Sequence, residues 1–103
     1  MYVVREIFHC KPGKVRPLVE KLQAMAAAME KAGAGTGAGG PRVLTDVSGP
    51  PYWTVISELE VESLAAYFEM DEEAMAEAGA AEIMAGYHEL VDHGRREILK
   101  IES

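Results

Sequence analysis

The stretch that decides the fold is Tyr52–Leu64, YWTVISELEVESL. It follows a Gly-Pro-Pro turn, carries the only tryptophan of the chain, and reads as an extended segment as far as Glu60. Ser63 is a suitable N-cap for a following helix, because its hydroxyl can accept from the free N–H groups of the first turn. The sequence therefore predicts a strand, Tyr52–Glu60, that leads into a helix at Leu64.

Three further elements precede this stretch. Tyr2–Cys10, YVVREIFHC, is rich in β-branched and aromatic residues and is predicted as the first strand. From Lys14 to Ala32, apolar residues recur at every third or fourth position, which predicts an amphipathic helix. Arg42–Ser48 is predicted as the second strand, and the short turn after it favours an antiparallel hairpin.

The connector at 33–40, GAGTGAGG, is predicted to be flexible because it is rich in glycine. It matches G-x-G-x-x-G, but dinucleotide binding needs a strand before that motif and a helix after it. Here the predicted helix comes first and the strand follows. We therefore expect a linker and no phosphate site.

The remainder of the chain is predicted to form two helical segments and a closing strand. The helix that begins at Leu64 breaks near Gly79, and a further helix is predicted over Ala80–His93 with Gly94 as its C-terminal cap. Arg95–Glu102, RREILKIE, is predicted as the fourth strand.

The order β-α-β-β-α-β is the ferredoxin-like pattern of an α+β fold. It predicts one domain over residues 1–103, with a four-stranded antiparallel sheet and both helices on one face. The first and third strands are expected at its centre. The second face still carries apolar residues that nothing in the monomer covers, so we expect a homodimer that packs sheet to sheet.

The charge distribution restricts the partners. The net charge is −7, and between Val43 and Gly94 there are twelve acidic residues and no lysine or arginine. Nucleic-acid binding is not expected, because it needs clustered basic residues. No apolar run approaches the roughly 20 residues that span a bilayer. The chain also opens without a signal-peptide pattern and contains only one cysteine, so we expect no membrane partner and a cytoplasmic location.

Three segments carry a resemblance to a known superfamily: MYVVREIFHCKPGK, YWTVISELEVESLAAYFE and REILKIE. With them the chain resembles the dimeric α/β-barrel superfamily, and within it the antibiotic-biosynthesis-monooxygenase and NIPSNAP-like groups. The resemblance covers essentially the whole chain and implies a barrel made by two sheets. Members include cofactor-independent oxygenases, haem degraders, isomerases and stress-response proteins, so the fold leaves the activity open.

The haem-degrading branch relies on an Asn, Trp and His set. This sequence has Trp53 but contains no asparagine, and His88 comes late in the chain. Haem degradation is therefore not expected.

Two function hypotheses follow. The first is a cofactor-independent monooxygenase-like enzyme that acts on an aromatic or polyketide-like substrate and needs no cofactor. In it, His9 or His88 would accept a proton, since an imidazole titrates near neutral pH. The second is a non-enzymatic dimeric ligand-binding or stress-related protein, in which both histidines are surface residues.

The candidate ligand-binding residues are Trp53, Tyr67, Tyr87 and Arg5. The aromatic residues would form the wall of a pocket for an apolar or aromatic ligand, and the alternative for them is core or dimer-interface packing. Arg5 lies in the middle of a central strand and is predicted to pair with Glu58 or Glu97. Its alternative role is an anchor for an anionic ligand.

No metal site is expected in the predicted last helix. His88 and His93 are five residues apart, so they would not lie on one helical face. Glu89 and His93 do share a face, but they supply only two ligands.

Overall fold

A computed structural model describes residues 1–31, 41–77 and 79–103, with only the backbone described for 70–75. The predicted connector at 33–40 lies outside the described residues. The strands are β1 (Tyr2–Cys10), β2 (Arg42–Thr45), β3 (Thr54–Val61) and β4 (Val91–Lys100). The helices are α1 (Val15–Lys31), α2 (Leu64–Glu77) and α3 (Ala80–Ile83), and a 3-10 turn covers Tyr87–Glu89.

The strands form one antiparallel sheet in the order β2-β3-β1-β4. The predicted α+β, ferredoxin-like fold is confirmed, including the central position of the first and third strands. Ser63 Oγ accepts from Ala66 N at 3.3 Å, as an N-cap of α2 does. Gly79 adopts a left-handed conformation with φ 70° immediately before α3, which confirms the predicted break there.

One face of the sheet, the helix face, carries the core. Leu18 and Val19 of α1 are buried against Cys10 of β1 and Val55 of β3. Helix α2 lies on the same side, since the guanidinium of Arg96 on β4 lies over the ring of Tyr67 in that helix. The other side, the open face, receives the alternate residues of each strand, because successive side chains in a strand point to opposite faces.

The helix predicted over Ala80–His93 is wrong. It stops at Ile83, and Gly86, with φ 81°, turns the chain into the short 3-10 segment. Val91 then begins β4 and pairs with Cys10. The helical spacing of Tyr87, Leu90 and Val91 misled the prediction because a turn followed by a strand places the same side chains against the core.

Two further inferences were based on that helix and do not hold. Gly94 is not a helix cap, because it lies within β4 opposite Phe8. His93 also belongs to β4, so the argument from helical spacing between His88 and His93 does not apply. Among the described residues, no helix is both long and apolar enough to cross a bilayer.

Candidate functional site

A cleft of about 390 Å³ lies on the helix face, between β1, β4 and the 3-10 turn. Its size is within the range of about 300–1,000 Å³ that small-molecule sites occupy. The residues that line it are Glu6, Phe8, Tyr87, Val91, Gly94, Arg95 and Arg96. Two aromatic rings and one aliphatic side chain thus lie beside three charged residues, so the lining is more polar than that of most sites for organic ligands.

The strands build the cleft through their alternation and one glycine. Glu6 and Phe8 are on the helix face of β1, and Phe8 pairs with Gly94 on β4. A Cβ atom at Gly94 would lie 3.0 Å from Ile7 O and 3.5 Å from Phe8 Cδ1. Glycine therefore lets the two strands approach there and leaves the space beside Phe8 open.

An ion pair forms one wall of the cleft. Arg96 Nε donates to Glu6 Oε1 at 2.5 Å, and the two residues face each other in the β1–β4 register. The Arg96 guanidinium also lies 5.8 Å from the ring centroids of both Tyr67 and Phe68 on α2. A half-exposed guanidinium between rings and a carboxylate can bind a planar ligand that carries a negative group.

The predicted aromatic site residues are placed differently from one another. Tyr87 lines the cleft, and the His88 ring lies against it with a centroid distance of 4.0 Å. Tyr67 lies near the cleft, because its ring centroid is 5.8 Å from the guanidinium of Arg96, which lines the cleft. The structure therefore brings Tyr67, Tyr87 and His88 to one side of the sheet, and their roles in binding or catalysis remain predictions.

Trp53 is not in the strand where the sequence placed it. Strand β3 begins at Thr54, and Trp53 has φ 66°, which is rare for a residue other than glycine. Its carbonyl accepts from Cys10 N at 2.8 Å, and its side chain is 42% exposed at the end of the hairpin. Thr54 is fixed beside it by Asp46, whose Oδ1 accepts from Thr54 N at 2.9 Å. Trp53 is thus held outside the cleft lining.

Arg5 lies on the open face and forms the ion pair predicted for it. Its Nε donates to Glu58 Oε1 at 2.7 Å, and Arg42 bonds the other carboxylate oxygen of the same residue. These bonds, chiefly the one from Arg5, hold the pKa of Glu58 below its ordinary value although burial opposes them. Glu97, the alternative partner, instead accepts from Arg95 at 3.2 Å. An anchoring role of Arg5 for a ligand stays a prediction.

His9 also lies on the open face. It pairs with His93 across the β1–β4 register, and the two rings stack at a centroid distance of 4.4 Å. Burial, followed by the nearby His93 and Arg95, lowers the pKa of His9. The sheet therefore stands between this imidazole and the cleft, and the two candidate bases, His9 and His88, are not in one site.

Cys10 is buried in the core of the helix face. Burial, with a smaller contribution from Asp92, raises the pKa of its thiol, which is the opposite of what an activated nucleophile needs. Among the residues that the structure describes, no three potential ligands are grouped closely enough to hold a metal ion.

Glu6, Phe8, Gly94 and Arg96 belong to the cleft but were not predicted as site residues. The signal for Glu6 was a charged residue in the middle of a central strand, next to Arg5. Gly94 and Arg96 could not be recognised as site residues, because Gly94 was interpreted as a helix cap and Arg96 as part of the strand that follows it. Their contribution depends on the pairing of β4 with β1, which the sequence did not place in register.

Solved structures resemble this fold closely. A NIPSNAP-family protein with unknown function from Agrobacterium tumefaciens superposes with a TM-score of 0.77 at 16% identity, covering 98% of this chain and 87% of that one. An uncharacterized NIPSNAP domain protein from Burkholderia xenovorans gives 0.76 at 14% identity, covering 100% and 96%. An antibiotic biosynthesis monooxygenase-like protein from Nitrosomonas europaea gives 0.67 at 11% identity, with 100% of both chains covered.

The chain therefore has the fold of NIPSNAP-family and antibiotic-biosynthesis-monooxygenase-like proteins, and the resemblance inferred from the sequence is confirmed. At these identities the likeness concerns the fold. No protein-family model matches the sequence, and no curated protein matches it.

Proposed function

We propose that this chain is a homodimeric small-molecule-binding protein whose cleft takes an aromatic or polyketide-like ligand with an acidic group. The observation that carries the proposal is the composition of the cleft. Phe8, Tyr87 and Val91 supply an apolar lining, and Arg96 supplies a cation at the wall. Because Glu6 already forms an ion pair with Arg96, an acidic ligand would either bind Arg96 together with Glu6 or displace the Glu6 carboxylate from Arg96.

A second candidate function is a cofactor-independent monooxygenase-like activity on the same ligand. It is favoured by His88, whose exposed ring lies against Tyr87 at the edge of the cleft. An imidazole in that position is able to take a proton from a phenolic substrate and pass it to water. His9 would serve as a base only for a ligand on the opposite face of the sheet.

The homodimer is supported by the apolar residues of the open face. Leu44 and Leu99 are 39% and 45% exposed, while Ile7 and Ile56 pair between them at the centre of the sheet. No described helix covers this face, and a second copy would present the same apolar patch to it.

The ligand proposal is tested by a thermal-shift screen of aromatic and polyketide-like acids, followed by titration of each hit. Arg96→Gln is expected to weaken a true cleft ligand about tenfold, since it removes a charge-assisted bond. Arg16→Gln, on the exposed side of α1, is the matched control and is expected to change nothing. Hits that bind equally to Arg96→Gln and Tyr87→Ala would place the ligand elsewhere and contradict the proposal.

The enzymatic candidate is tested by oxygen consumption with the same hits. His88→Gln is expected to abolish turnover without abolishing binding, whereas His93→Gln on the other face is expected to leave it unchanged. Turnover that survives His88→Gln would remove His88 as the base.

The dimer is tested separately by sedimentation at micromolar concentration. The wild-type protein is expected to sediment as a dimer, and Leu44→Glu with Leu99→Glu as a monomer. A wild-type monomer would contradict the dimer and leave the cleft proposal standing.

A further inference from the structure

A cluster of three basic side chains lies on the open face, where β1 ends. It consists of His9, His93 and Arg95, which we call the histidine–arginine cluster. The two imidazole rings stack with centroids 4.4 Å apart and planes 27° apart. Arg95 Nη1 lies 3.1 Å from His9 Nε2. In a chain of net charge −7, three basic groups gathered at one point on a sheet need a physical account.

The bond from Arg95 fixes the state of His9. A guanidinium can only donate hydrogen bonds, so His9 Nε2 must accept, and the proton of the neutral ring must be on Nδ1. Protonation of Nε2 would break this bond and place two cations side by side. The contact therefore favours the neutral form of His9, and a negative group that accepts from both side chains would favour the protonated form.

The ring geometry argues against a metal ion at the same place. Two imidazoles chelate one ion when their in-plane lone pairs converge on it, and stacked rings direct those lone pairs side by side. The guanidinium adjacent to His9 also repels a cation. Donors that run side by side suit the separate oxygens of an oxyanion.

Before an anion binds, the charge of the cluster is compensated, because the guanidinium of Arg95 is paired with a carboxylate of β4. On β4, Glu97 Oε2 binds Arg95 Nε at 3.2 Å, and Asp92 acts on the Cys10 thiol. On β3, Thr54 pairs with His9 and carries no charge.

The charged groups further out already have partners. From the β2–β3 hairpin, Asp46 Oδ1 accepts from the backbone N–H of Thr54. Along β1, Arg5 is bound to Glu58. No carboxylate among these residues is bonded to either imidazole.

We propose that the histidine–arginine cluster is a binding site for an oxyanion, of the phosphate or carboxylate type, that is taken up together with one proton. The proton goes to His9 Nε2, which changes from an acceptor into a donor. Arg95 Nη1 is released from His9 at the same moment, and both groups donate to the oxyanion. His93, stacked on His9, supplies a third donor from its ring edge. The two imidazoles of this site are on the opposite side of the sheet from the cleft, on the face that the proposed dimer would cover, and Arg95 is also among the residues that line the cleft. The site does not depend on the ligand proposed for the cleft.

The test is an NMR titration of the imidazole protons in the full chain. The chain has three histidines, and His88 lies outside the cluster, so it serves as an internal reference. Sulfate stands for a phosphate group and acetate for a carboxylate, each compared with chloride at equal ionic strength. We expect sulfate, acetate or both to raise the pKa of His9 while that of His88 stays unchanged, and the responding anion identifies the group.

Affinity is expected to rise as the pH falls through the pKa of His9 in the complex, and to level off below the pKa of the free protein. Arg95→Gln is expected to weaken the oxyanion about tenfold, because one charge-assisted bond is lost. Arg16→Gln, which makes the same charge change on α1, is expected to keep the wild-type affinity. His9→Gln is expected to retain weak binding without its pH dependence, since the arginine remains.

Two results would overturn the proposal. One is that neither sulfate nor acetate raises the pKa of His9 more than that of His88. The other is an affinity that Arg95→Gln and His9→Gln leave unchanged. Because the signal comes from His9 itself, a failure of the cleft proposal does not alter this measurement.

Discussion

The two faces of the sheet are formed by the same strands, but the side chains on each face are buried in different ways. On the helix face, Val4 and Cys10 of β1 are buried beneath apolar residues, of which Leu18 of α1 is fully enclosed. On the open face, the neighbours Arg5 and Ile7 of the same strand are surrounded by ion pairs and side chains of the sheet itself.

The difference is clearest at Glu58, which is 5% exposed on a face that no described helix covers. It lies between Arg5 and Arg42 and satisfies both oxygens with them. Apolar packing thus stabilises the helix face, whereas the open face combines a few apolar residues with charges that need partners. Substitutions on the two faces should therefore differ in size and in their response to pH.

The largest expected effect is on the helix face. Leu18→Ala removes a fully enclosed side chain, and we expect it to lower the free energy of unfolding by about 2–5 kcal/mol. Leu44→Ala on the open face, where the side chain is 39% exposed, is expected to cost less than about 1 kcal/mol in the monomer. Urea unfolding of both variants provides the measurement.

Concentration separates the two explanations if Leu44→Ala costs more. A loss that grows with protein concentration would mean that a second copy buries Leu44. A loss equal to that of Leu18→Ala at every concentration would contradict the contrast between the faces.

The second effect concerns the ion pairs. Glu58→Gln leaves Arg5 and Arg42 without their carboxylate, and we expect a loss of about 1–3 kcal/mol, below the value for fully buried pairs because both arginines are partly exposed. Since the pKa of Glu58 is lowered in the folded chain, its contribution is complete above the ordinary value of 4.5 and is lost as the pH falls through the folded value.

Urea unfolding between pH 7 and pH 3 tests this prediction. The difference between wild type and Glu58→Gln should shrink as the pH falls below 4.5. Arg42→Gln should lower the free energy of unfolding less than Glu58→Gln does, because the Arg42 side chain is the more exposed of the two. A difference that does not vary with pH would show that the charge of Glu58 does not act through these bonds.

The sequence was sufficient for the architecture of both faces. The strand β1 was predicted with its observed bounds, and α1 within a residue at each end, because their patterns are long and regular. The ion pair of Arg5 followed from the cost of leaving a charged residue in the middle of a central strand. These features depend on local pattern or on a physical requirement that a single residue imposes.

The features that failed depend on long-range pairing. The segment after α3 has a helical spacing, but backbone bonds of β4 to β1 outweigh that local preference. Trp53 was placed in a strand because the chain is apolar there, whereas it has a positive φ just before Thr54, where Asp46 and Thr54 join the hairpin. The cleft and the histidine–arginine cluster both require the β1–β4 register, so neither was visible as a group in the sequence.

The smallest expected effect is the pH dependence of stability that His9 contributes on the open face. It falls in a different pH range from that of Glu58. Since the pKa of His9 is lowered from its ordinary value of 6.5, the unfolded chain binds a proton there more readily than the folded chain does. Stability should therefore decline as the pH falls from 6.5 toward the folded value, a range that begins well above that of Glu58. His9→Gln should reduce this slope in chloride buffer without oxyanions, and His88→Gln should not. A wild-type slope in His9→Gln would mean that folding does not favour the neutral form of this imidazole, and that burial, His93 and Arg95 do not act on it as the structure indicates.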